Sequence, residues 1–238
     1  MKKLTMLMLL ALAAAVSAAD GRFDIKKIRH FSRNTPIPKY ENDDSSSKTA
    51  KKNQWLCLET IFIPESMSST AKAEQWYDDI TMEGTVVLAR PAGKGISYIV
   101  LTGKTRFFTI QADAKQHIGM FYVPSKILTR YLGTWNGEPP VEMAKVAFYA
   151  PGKILLGEGY WAQGAGKKGK FVPVTSKEYR AVADRMKKYE KKYDNVTTLR
   201  GGLYSKEKTP WVHYEYGKYE NDLIYDNVLQ QDSGNIRQ

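Results

Sequence analysis

The chain has 238 residues, a formal net charge of +11 and one cysteine. A lone cysteine excludes an internal disulfide framework, so the fold must be held by burial alone. The positive balance favours anionic partners such as acidic glycans, envelope polymers or DNA, set against the plainer reading that scattered lysines keep the protein soluble.

The opening "MKKLTMLMLLALAAAVSAAD" places Lys2 and Lys3 before an apolar run from Met6 to Val16 and a small-residue segment. That order predicts a signal peptide over residues 1–19, cleaved after Ala18 or Ala19, and export to the periplasm or cell surface. The run is shorter than the ~20 apolar residues a span needs, so no transmembrane span is expected in the mature protein. Loss of Lys2 and Lys3 lowers the net charge from +11 to +9.

The segment 22–31 reads as a first strand, and 32–53, with two prolines and three consecutive serines, as a long loop. "QWLCLETIFIPE" (54–65) reads as a second strand ended by Pro64, and 71–80 as a helical turn or two. Residues 82–90 and 96–110 form a hairpin around "PAGKG", and 117–124 another strand. A short helix over 125–132 follows, with Ser125 as its cap. A second hairpin joins 141–150 to 154–162 through "PGK". Short β-branched and aromatic strands with Gly/Pro punctuation predict an antiparallel β-sandwich over residues 20–162.

Residues 163–238 change character. "QGAGKKGKFVPV" reads as a glycine-lysine loop, and 175–193 as an amphipathic helix with capping-box spacing between Thr175 and Glu178. Tyr179, Val182, Ala183, Met186, Tyr189 and Tyr193 share one face of it, which either packs on the sandwich or docks a partner. The polar, tyrosine-rich segment from Asp194 completes this region.

Strings that suggest catalysis fail on context. "GKT" (103–105) lacks the phosphate-loop glycine five residues earlier, where Tyr98 stands. "GEGYWA" (157–162) and "GAGKKG" (164–169) have dinucleotide-fingerprint spacing, but neither opens a helix. Ser69 and Lys72 lack the companion motifs of a lysine-activated serine. His30, His117 and His213 have no metal-ligand neighbours at useful spacing. No catalytic residue, metal ligand or cofactor is therefore expected, and the protein is not expected to be an enzyme.

Strand alternation sets Trp55, Cys57, Ile61 and Ile63 on one face and Leu56, Leu58 and Phe62 on the other. A strand apolar on both faces belongs inside a sheet, so Cys57 reads as a buried thiol ahead of an intermolecular disulfide or a nucleophile. The candidate binding residues lie late in the chain. Trp161, Trp211, Tyr214 and Tyr216 form an aromatic set beside Lys167, Lys168 and Lys170, suited to a sugar ring or nucleobase. The plainer reading makes "WVHYEYGKY" (211–219) one more strand whose tyrosines cover the sandwich.

The leader, "WLCLETIFIPE", "VEMAKVAFYAPGKILLGEGYWA" and "SKEYRAVADRMKKYEKKY" together resemble the pilus-like proteins encoded beside type IV pilus genes in mucin-colonising verrucomicrobial bacteria. The resemblance implies an immunoglobulin-like sandwich and a non-catalytic accessory role in pilus assembly or surface adhesion, with pilus or envelope proteins as partners. The chain departs from true pilins in one respect. The charged "DGRFDIKKIRHF" follows the leader where a pilin carries its long apolar stem. The alternative is a secreted module that binds acidic glycans or DNA.

Overall fold

Alternation at period two puts successive side chains on opposite faces of a strand, and that alternation decides the layers here. The computed structural model describes residues 23–34, 54–65, 75–93, 95–133, 139–164, 167–191 and 195–209. A three-stranded sheet is formed by Phe23–Asn34 (β1), Gln54–Pro64 (β2) and His117–Val123 (β5), in the order β1-β2-β5. A six-stranded sheet takes Trp76–Ala92 (β3), Gly95–Gln111 (β4), Val141–Ala150 (β6), Ile154–Gly164 (β7), Lys167–Val172 (β8) and Val196–Arg200 (β9), in the order β8-β7-β6-β3-β4-β9. Every described pairing is antiparallel except β4 with β9. The protein is a mainly β sandwich, as its strand pattern leads one to expect.

The two sheets enclose one core. Phe62 lies 4.4 Å from Phe148 and 5.3 Å from Phe23, and Phe23 meets Tyr77 edge-on at 4.9 Å. Such pairs add about 0.5–1.5 kcal/mol each beyond area burial. β1 keeps its apolar face inward by a bulge between Ile25 and Lys27. Phe23 and Ile25 are buried before it and Ile28 after it, so one extra residue resets the phase.

Close approach of backbones explains the motif-like glycines. A Cβ on Gly157 would lie 2.1 Å from the Phe23 carbonyl oxygen, where β1 crosses β7. Gly84 and Gly103 are opposite each other in the β3–β4 register. Their bare backbones admit Phe121 on one side and Leu203 on the other, the Leu203 carbonyl lying 2.3 Å from a Cβ placed on Gly103. The "GKT" glycine thus serves packing, and Leu203 closes that edge of the core.

The short helix Ser125–Leu132 (α1) forms as expected, but its cap is Pro124, with no side-chain cap hydrogen bond. The Pro124 carbonyl accepts from the N–H groups of Ile127 and Leu128 at 2.9 and 3.1 Å, and the fixed proline φ suits that role. The second helix is Tyr179–Glu190 (α2), shorter than expected. Its capping box is absent: Pro173 to Glu178 form turns, and the Glu178 carboxylate binds Lys170 instead. Tyr179, Val182, Ala183, Met186 and Tyr189 pack on Val87, Val100 and Met143, on the side of the six-stranded sheet away from the core. α2 is therefore a third layer. Tyr193 lies outside the described residues.

Three further expectations are corrected. The helical turn read over 71–80 gives way to strand from Trp76 onward. The glycine-lysine loop contains β8, which pairs with β7. The segment after Asp194 contributes β9, so the sheet continues past residue 162.

Candidate binding surfaces

The thiol of Cys57 sits in the middle strand of the small sheet and is fully buried with Met120 and Tyr122. Phe31, Trp55, Ile118 and Tyr204 complete that cluster. The thiol's neighbours in that cluster are apolar or aromatic, so it fills space as a small hydrophobe does. Glu59, on the same face, is held by a two-pronged contact from Arg29, opposite it in register, with Nη2 at 2.9 Å.

The expected aromatic and basic set is dispersed. Trp161 meets the His30 ring edge-on at 4.3 Å, and its indole covers Gly169, where a Cβ would lie 2.0 Å from it. Its ring is engaged in packing between the sheets. Lys170 is exposed and paired with Glu178 at 2.6 Å. Lys167 and Lys168 lie in β8. Trp211, Tyr214 and Tyr216 fall outside the described residues.

Clefts open at several places on the surface. The first, of about 670 Å³, lies between the start of β1, the start of β7 and the turn after β8. Phe23 and the exposed Leu155 and Val174 give it apolar walls; Asp24, Glu65 and Glu158 give it carboxylates. Its most constrained polar group is Glu158, which accepts a hydrogen bond from Tyr179 and faces Lys145 at 3.7 Å. Burial, followed by that bond to Glu158, pushes the Tyr179 phenol up to about 12. Tyr160, 5.4 Å from Tyr179, is raised further, by burial first and then by the Glu158 charge. Tyr189 is pushed up to about 12 by burial and its hydrogen bond with Tyr98.

The second and third clefts meet beside the turn after β9. One, of about 490 Å³, is lined by Thr85, Thr102, Lys104 and Lys208, with Glu83 as its carboxylate. The other, of about 360 Å³, is lined by Lys126, Arg130 and Tyr131 of α1. Arg200, Gly201 and Tyr204 line both. No run of basic residues announces this surface, because Lys104, Lys126, Arg130, Arg200 and Lys208 come from four separate stretches of chain.

Among the described residues no group of three or more His, Cys, Asp or Glu could hold a metal ion, and no helix is long and apolar enough to cross a membrane. His117 pairs with Asp113 at 2.9 Å. Burial would raise the Asp113 carboxyl, but hydrogen bonds from His117 and the Lys115 N–H hold it below its ordinary value.

A model of a family described as pilus-associated matches residues 14–223. The chain belongs to that family. The match spans both sheets and α2, so the whole described architecture is the family's. A crystal structure of a protein from Akkermansia muciniphila, a verrucomicrobial mucin coloniser, is similar over 84% of this chain and 91% of that one. The TM-score is 0.58 at 15% sequence identity, a likeness of fold alone. No curated protein sequence matches the chain significantly.

Proposed function

We propose that this family member is an exported, non-catalytic accessory protein of a type IV pilus-like system, acting in pilus assembly or surface adhesion through protein contacts. The observation that carries the reading is the family match over residues 14–223, and the sandwich shared with a protein of a mucin-colonising bacterium is in keeping with it. The clefts also suit contact better than chemistry. In the first cleft Glu158 is already bound by Tyr179 and faced by Lys145, and Asp24 is paired with Lys26.

The test compares a strain lacking the protein with its parent, scored for surface pili and for adhesion to mucus. Fewer pili or weaker adhesion is expected, restored by the complemented gene; unchanged pili with unchanged adhesion overturn the reading. A pull-down from envelope extract should retain pilus or envelope proteins. The protein recovered from that envelope should begin at Ala19 or Asp20, and a form retaining Met1 would contradict export by a cleaved leader.

A further inference from the structure

Several cations on this molecule are paired with carboxylates. Arg29 pairs with Glu59, Arg106 with Asp79, Lys170 with Glu178 and Arg185 with Glu142. Five others gather around the joined clefts at the β9 turn. Lys104, Lys126, Arg130, Arg200 and Lys208 are all exposed, and none forms an ion pair with another described residue. Lys104 stands opposite Glu83 in register without closing on it. Among the described residues, Glu83 is the one carboxylate lining the first of the two clefts, and none lines the second. Gathering like charges without counter-charges costs self-repulsion, and a concave wall concentrates the field they produce.

We propose that these joined clefts bind an acidic polysaccharide, one carrying sulfate or carboxylate groups. The cations would take its anionic groups, and Thr85, Thr102 and the exposed backbone at Gly201 its hydroxyls. The aromatic residues decide against single-stranded nucleic acid. That ligand needs open ring faces on which bases stack. Tyr204 is turned edge-on to Trp55 at 6.4 Å, and Tyr131 packs on the core beneath the Arg130 guanidinium at 5.5 Å. Both rings are already engaged. The site is separate from the glycine-lysine stretch and stands or falls independently of the pilus role.

The test measures binding of a heparin hexasaccharide to the purified full-length protein by calorimetry at physiological salt. Lys104→Ala/Arg200→Ala/Lys208→Ala should weaken it by about tenfold or more, since charge-assisted contacts are lost together. Lys126→Ala/Arg130→Ala, on the α1 side, should weaken it independently. The control Lys177→Ala/Lys188→Ala/Lys191→Ala removes the same charge from exposed positions around α2 and should leave affinity within about twofold. Equal loss in the control would show a net-charge effect and overturn the site. Absence of heparin binding would overturn the proposal, as would a single-stranded DNA oligomer that binds more tightly and is lost in the same variants. Thermal melts check that each variant folds; if one triple fails, the α1 pair carries the comparison.

Discussion

Burial decides what individual side chains do here. Cys57 is sealed beneath Tyr122 and Met120, so it should react slowly with a water-soluble thiol reagent in native protein and quickly after denaturation. Cys57→Ala should cost about 1–2 kcal/mol in urea unfolding through lost packing. A covalent dimer on a non-reducing gel would contradict that burial. The raised tyrosines make a second residue-scale prediction. Tyr179 and Tyr189 hold their protons to about 12 in the fold, whereas an unfolded tyrosine releases its proton near pH 10. Between those values the native state binds more protons than the unfolded one, so the stability these groups contribute is complete below about pH 10 and is lost by about pH 12. The melting temperature should fall across that window, and Tyr179→Phe/Tyr189→Phe should flatten the fall.

At the scale of elements, α2 owes its place to one row of side chains. Met186 is almost fully buried against the outer face of the large sheet, and Met186→Ala should cost about 2–5 kcal/mol by thermal or urea melt. That row was legible in the sequence because its spacing follows the helix turn, as the strands from β2 to β7 were legible in their alternation. The misreadings have local causes. Tyr77 and Ile80 both face the core, three residues apart, because Asp79 adopts φ 56° and shifts the strand's phase. Spacing of three mimics a helix. β8 has only Phe171 and Val172 as apolar residues, and it is a strand because the backbone edge of β7 is there to pair with. Thr175 and Glu178 had capping-box letters, but a carboxylate within reach of Lys170 takes the ion pair instead.

At the scale of the whole molecule, the sequence directed attention to local runs of lysine and aromatic residues, while the structure builds its unpaired positive surface by topology. Lys104 belongs to β4, Arg130 to α1 and Arg200 to β9, and only the crossing of the chain at Leu203 gathers them. A sequence without an alignment carries no sign of such a meeting. Composition did show that cations were in excess; it could not show where acids fail to neutralise them.

The parallel β9 strand has a consequence for the order in which the protein assembles. Tyr98 to Thr102 find their partners at Val196 to Arg200, after α1, the second hairpin, β8 and α2 have intervened. Closing so long a loop is entropically unfavourable until most of the other contacts exist. The edge of β4 therefore stays open on a growing chain, and β9 seals it last. Leu199→Ala should speed unfolding while leaving the folding rate nearly unchanged in stopped-flow measurements. A matching slowdown in folding would instead put β9 in the nucleus.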